Sequence, residues 1–352
     1  MADIKGRYNG IQILRAILFV GIVAFHSSIP GSQILWGGVE IFFVISSYFL
    51  TKKLSKSQSG DIQLVSNIKH RFLRLAPVYY LVLIGAFGLI AIVNRVIALG
   101  DLVVHGIFSQ NFYWMITGYR SDLNVFTAHT WTLSIEFWLF FVWLVAFRFA
   151  KSDKARAFFN IISIVCAISW RMVTVVWVQD VMITSLCPIA HMDAFALGSL
   201  MALYEKNRTK QNPGVFIGAG VLGMFIILGS IFATACLNEI GFLQAYALYS
   251  TSKNYLNSLL TCNVYLGLSL FAIGLLWVSK QFETKGKIAQ SFVICGNASY
   301  SAYLIHYPIN VVLERVCQNE WLVFFVTTVV TLVCSIVIEK IIKEIQLRIK
   351  KR

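Results

Sequence analysis

Arg15 and His26 stand near the two ends of a single apolar stretch, LRAILFVGIVAFH, residues 14 to 26. Eleven residues at 100° each make three turns and about 20°, so in an α-helix the two side chains share one face, roughly 16 Å apart along its axis. Ionisable groups inside apolar segments are rare, and they mark functional paths or buried pairs. An imidazole and a guanidinium on one face at different depths describe a polar groove, with a proton-transfer group at one end and an anion-binding group at the other.

Other ionisable groups cluster in the same outer half. Glu40 follows the small pair Gly37-Gly38 in the second apolar run, and His129 and Glu136, seven residues apart, lie close to one helical face at the outer end of the fourth. Arg171 falls in the fifth run, His191 and Asp193 in the sixth and His306 in the ninth. Arg171 with Asp193 reads equally as a buried ion pair, and His191 and His105 as satisfied or interfacial histidines.

At the other side of the membrane, IKHRFLRLAP (68–77) brings Arg71 and Arg74 onto one helical face, with Lys69 adjacent and Pro77 opening the next span. Such residues set topology or touch anionic lipid; alternatively, an arginine fork clamps phosphates. No loop carries GxxxxGK[ST] or GxGxxG, so phosphates would be held by side chains. A basic mouth, a polar path and an outer His/Glu cluster suit a long phosphorylated molecule extended into the membrane. Coenzyme A, with phosphates at one end, a thin arm and a reactive thioester at the tip, fits that outline.

The elements that position these groups are membrane spans. Of 352 residues, 58% are hydrophobic and 13% charged, a balance foreign to soluble domains. Runs long enough to cross the hydrocarbon core predict an all-α polytopic protein with ten transmembrane helices, at 11–29, 34–51, 77–95, 131–150, 158–178, 182–204, 215–236, 255–279, 291–313 and 321–341. Segment 101–117 is too short and polar to span, and reads as an outer re-entrant or interfacial piece. The net charge of +14 does not point to nucleic acid, because 24 of the 30 basic residues fall in alternate loops and the termini, against Arg95, Arg120, Lys253 and Arg315 opposite. That asymmetry predicts both termini in the cytoplasm.

The first apolar run lacks a cleavage site and reads as a span, not a removable signal. Seven scattered cysteines without CxxC spacing predict no metal centre and no disulfide framework. Without repeats or linkers, residues 1–352 read as a single transmembrane domain with no appended soluble domain. Aromatic residues of the outer segments 96–130 and 237–254 (Tyr113, Trp114, Tyr119, Tyr246 and Tyr249 among them) suit an interfacial belt or a sugar-stacking surface.

Six segments, in order, resemble the membrane-bound acyltransferase-3 family. LRAILFVGIVAFH is similar to its opening Arg-x10-His helix, and GGVEIFFVISSYFL to its FFVxSGY helix, with Ser47 where glycine is usual. HRFLRLAPVYYL resembles its Arg-x-x-Arg segment, TWTLSIEFWLF its WSLxxE segment, HMDAFALGSLMA its DxFxxG helix, and NASYSAYLIHYPI its SYSLYLIHxP segment. The resemblance implies an integral O-acyltransferase of the bacterial inner membrane that moves an acyl group, usually acetyl, from cytoplasmic acyl-CoA to a hydroxyl of a surface glycan or its lipid-linked precursor.

On that resemblance His26 is catalytic, Arg15 belongs with it to the essential pair although it lies too far down the helix to touch the same atom, Glu136 is the next catalytic position carried over, and Arg71, Arg74, Lys69 and Arg15 are expected along the CoA donor. Glu40, His129, His306 and Arg171 are expected on the acceptor side. His26 would act either as general base or as acyl carrier, with Glu136 or Glu40 holding its tautomer. The Ser47 departure bears on close helix packing at that point. Two other functions remain open on the residues alone: acylation of a small hydroxylated molecule such as a macrolide, and proton-coupled transport of a glycan intermediate, although transporters commonly show inverted repeats that are not evident here.

Overall fold

A computed structural model of the chain describes residues 8–57, 61–95, 99–119, 121–208, 210–251, 259–282 and 285–351. Lys5, Arg7, Arg120, Lys253 and Arg352, which entered the topology argument, lie outside the described residues, as does the side chain of Tyr249. Among the described residues the regular structure is entirely helical.

The first helices are α1 (Asn9–His26), α2 (Gly38–Leu54) and α3 (Leu64–Asn94), followed by the short α4 (Leu99–Gly106) and α5 (Gln110–Thr117). Then come α6 (Trp131–Phe149), α7 (Asp153–Val173), α8 (Met192–Asn207), α9 (Pro213–Leu237), α10 (Phe242–Thr251) and α11 (Leu259–Ser279). The chain closes with α12 (Lys287–Asn297), α13 (Ser299–Val316) and α14 (Glu320–Lys351). At eight residues each, α4 and α5 are about 12 Å long and cannot cross a bilayer, in keeping with a re-entrant or interfacial reading of 101–117.

Among the described residues, eight helices are long and apolar enough to span. The other two expected spans are interrupted. Pro188 forces Cys187 into an extended conformation (φ −73°, ψ 128°), since a residue preceding proline is pushed out of the α region. The stretch 182–204 therefore becomes a short helix, a tight turn at Pro188–His191 and then α8. The stretch 291–313 breaks at Ala298, between α12 and α13. One boundary moves the other way: α3 starts at Leu64, so the basic segment 68–77 is helical and Pro77 lies inside the helix rather than at its start. Arg71 and Arg74 thereby ride on a rigid element.

Leu81, Ile84, Val221, Phe225, Phe232, Phe325 and Val333 are exposed on α3, α9 and α14. So much apolar surface is a liability in water and ordinary in lipid. Inside, two packing contacts set the helices that matter for the site. A Cβ on Gly296 would fall 1.9 Å from the Gln12 carbonyl oxygen, so α12 meets α1 backbone to backbone one turn before Arg15. A Cβ on Gly198 would fall 2.2 Å from both Ser47 Oγ and the Val44 carbonyl oxygen. The serine at 47 thus fits because its neighbour on α8 has no side chain, and its hydroxyl is satisfied by the Val44 carbonyl at 3.1 Å.

Candidate active site

α1, α2, α3, α6 and α13 enclose a cavity of about 520 Å³. Its walls carry Arg15, Lys53, Arg71 and Arg74 against the single carboxylate of Glu136, with Phe42, Phe49, Phe140, Tyr300 and Tyr303 as aromatic panels. Arg71 Nη2 pairs with Glu136 Oε1 at 2.7 Å, Ser46 Oγ donates to the same oxygen at 2.5 Å, and the Arg71 guanidinium stacks over Phe140 at 4.4 Å. Arg71 Nε is buried with no partner. Arg15 reaches only Gln12 Oε1, at 3.3 Å, and neither Arg15 nor Arg74 has an ion-pair partner among the described residues. The cavity therefore carries a surplus of positive charge, the condition that an anionic ligand relieves.

Tyr303 and Thr132 belong to the cavity wall and also to the next layer outward. Thr132 Oγ1 donates to Tyr303 Oη at 2.9 Å, and Tyr303 Oη donates to the His129 carbonyl at 3.0 Å. Behind them three imidazoles gather from three helices: His306 lies 5.3 Å from His26 and 5.4 Å from His129 between ring centroids. Tyr307 packs against both His26 (4.9 Å) and His129 (5.0 Å). His129 and His306 are buried and His26 is half-buried. Asn310, one turn after His306, fastens the end of α1 by donating to the His26 carbonyl at 3.1 Å and accepting from Ser27 Oγ at 2.7 Å.

A second polar cluster lies apart from this one. Arg171 pairs with Asp193 through Nη2 and Oδ2 at 2.6 Å and also donates to the Ala190 carbonyl. His191 Nδ1 meets Glu40 Oε1 at 2.5 Å, and its Nε2 donates to the Ser185 carbonyl at 2.7 Å. All four side chains are at most 1% exposed. The ion-pair reading of Arg171 and Asp193 holds.

Glu40 and Arg171, expected on the acceptor side, are each paired with a buried partner, and neither lines the cavity. Glu40 and Glu136 are likewise engaged elsewhere, by His191 and by Arg71 with Ser46, and neither holds the His26 ring, which packs against Tyr307 and His306. Lys69 is exposed and lines a separate surface depression with Asp61 and Arg148 instead of the cavity. Arg15, Arg71, Arg74 and Glu136 do converge, as do His26, His129 and His306. His105, on α4, donates through Nδ1 to the Asp101 carbonyl at 2.6 Å, and burial pushes its imidazole down to about 4, so it serves as a neutral structural group.

Ser46, Thr132, Tyr303 and Asn310 escaped the sequence reading because hydroxyls and amides are unremarkable in spans. One signal was present: Asn310 is four residues after His306, on the same helical face. Among the described residues no group of metal-ligating side chains is assembled.

The Acyltransferase domain family model matches residues 8–340. O-acetyltransferase OatA of Staphylococcus aureus (strain NCTC 8325 / PS 47) is 23% identical over 361 residues, covering 97% of this chain and 57% of its own length. A second protein, from strain COL, carries O-acetyltransferase as a provisional name and is 34% identical over 154 residues, 39% of this chain and 24% of its own. The matched region thus spans little more than half of the first relative's length and about a quarter of the second's. No solved structure matches.

Proposed function

The chain belongs to the membrane-bound acyltransferase-3 family, and from that premise we propose that it is an integral membrane O-acetyltransferase. Acetyl-CoA, entering from the cytoplasm, supplies the acetyl group, and a hydroxyl of a surface glycan or its lipid-linked precursor receives it. One observation carries the reading: a positively charged, aromatic-walled cavity ends at Tyr303 and Thr132, directly before the three histidines. Arg71 and Arg74, with Arg15 deeper in, hold the phosphates and the amide-bearing arm of the donor. The thioester lies toward Tyr303. The names of the relatives support oxygen as the acceptor atom.

His26 acts on the hydroxyl. A sugar hydroxyl is a weak nucleophile at neutral pH, and a positioned imidazole that takes its proton during attack contributes roughly 10² to 10⁴ in rate. The oxygen bonds to the thioester carbon, the proton passes to His26, the carbon–sulfur bond breaks, and the departing thiolate recovers the proton as free CoA. Glu136 acts on the donor side: with Ser46 it holds Arg71 in place.

The reading is tested by the mass of surface polysaccharide from cells with the intact gene, a deletion, and His26→Ala. The expected result is one acetyl increment lost from the repeat unit in both altered strains. Polysaccharide of unchanged mass in the deletion strain would refute a glycan acceptor.

A further inference from the structure

The proton positions of two histidines follow from their partners. His306 Nδ1 lies 2.6 Å from the Tyr303 carbonyl oxygen, and His129 Nε2 lies 3.1 Å from the Leu304 carbonyl oxygen. A carbonyl can only accept, so each of these nitrogens carries the hydrogen. The Leu304 carbonyl is open to His129 because its helical partner would be the N–H of residue 308, which is proline. No carboxylate pairs with any of the three rings among the described residues, so nothing balances a charge there and each ring is neutral. The remaining nitrogens, His306 Nε2 and His129 Nδ1, are then lone-pair acceptors, and both are buried without a partner.

Two buried acceptors without a protein partner are costly unless something donates to them. Their rings are 5.4 Å apart, and both belong to the cluster that contains His26. We infer that His129 Nδ1 and His306 Nε2 form a two-point seat for neighbouring hydroxyls of the acceptor saccharide, leaving a hydroxyl in the reach of His26. This rests on the acyl-transfer reading and adds the class of group recognised: a sugar with hydroxyls on adjacent carbons. His129 and His306 are positioning residues, and His26 takes the proton.

Side-chain amides separate this role from a structural one. An asparagine nitrogen sits where Nδ1 sits, so His306→Asn keeps the bond to Tyr303 and removes Nε2. A glutamine nitrogen sits where Nε2 sits, so His129→Gln keeps the bond to Leu304 and removes Nδ1. His306→Gln instead places an amide oxygen near the Nε2 position, retaining an acceptor without a base.

The experiment uses the full chain in membrane vesicles, radiolabelled acetyl-CoA, and saccharides extracted from deletion cells as the titrated acceptor. Expected is a rise of about tenfold, the worth of one hydrogen bond to an otherwise unpaired group, in the half-saturating extract for His306→Asn and for His129→Gln. The half-saturating acetyl-CoA stays within about twofold, and His306→Gln restores much of the acceptor affinity. Unchanged acceptor dependence in His306→Asn and His129→Gln would overturn the seat while leaving the acyl-transfer reading intact. A wild-type chain that moves no label onto any saccharide would overturn both.

Discussion

The interior of this membrane domain holds two polar clusters built from the same residue types and opposite in balance. In the cluster of Glu40, His191, Arg171 and Asp193, each side chain is paired with one of complementary character, Glu40 with His191 and Arg171 with Asp193, and all four are sealed, with Glu40 Oε2 and Arg171 Nε the atoms left over. In the cavity, Arg15, Arg71 and Arg74 face one carboxylate, and beyond Tyr303 two histidine nitrogens have no partner. Balance marks a strut, because a buried pair whose charges cancel leaves no net charge for a ligand to neutralise. Imbalance marks a site. The residue list alone puts Arg171 beside Arg15 and Glu40 beside Glu136, and only pairing tells them apart.

The sharpest way to break that contrast is to remove a group from each cluster. His26→Ala lowers acetyl transfer by roughly 10² to 10⁴ with no loss of folded protein, read from label transfer alongside the melting curve of the purified chain. Arg171→Ala strands Asp193 in the interior and destabilises the fold by about 3–5 kcal/mol, seen as a fall in melting temperature. Arg171→Met with Asp193→Leu, which removes both charges, recovers most of it. If Arg171→Ala lowered transfer without lowering the melting temperature, the strut assignment would fail.

Smaller changes sharpen the picture within the cavity. Ser46→Ala removes one hydrogen bond from Glu136, a loss of about 1 kcal/mol, so transfer slows several-fold and acetyl-CoA binds more weakly, as measured by filter binding. Lys69→Ala changes neither quantity by more than about twofold, since an exposed charge is worth little; a large effect would place the donor's phosphates on the outer face of α3 instead.

Much of this was legible in the sequence for reasons that are local. Apolar runs of spanning length announce helices, and periodicity places Arg15 with His26 and Arg71 with Arg74 on common faces. The interruptions at 188 and 298 were harder. Pro188 is a visible breaker, yet hydropathy averages over it, and nothing in the composition around Ala298 forbids a continuous helix.

The pairings were not legible, because they join residues far apart in the chain: Glu40 to His191, Glu136 to Arg71, His129 to the carbonyl that Pro308 leaves open. The departure at Ser47 looked like a packing fault and is answered at Gly198, on another helix. A single sequence states which groups must find partners. It does not state which of them do.

The account turns on a division of labour between cavity and histidines, and one crossed measurement tests it most directly. Acetyl-CoA binding and acetyl transfer are measured on the same purified preparations of wild type, His26→Ala, and the double variant Arg71→Ala with Arg74→Ala. The predicted result is that His26→Ala binds acetyl-CoA as wild type does and transfers roughly 10² to 10⁴ more slowly, while the double variant binds roughly ten- to hundredfold more weakly and transfers when donor is raised to compensate. The reverse pattern, with binding lost in His26→Ala and kept in the double variant, would contradict it.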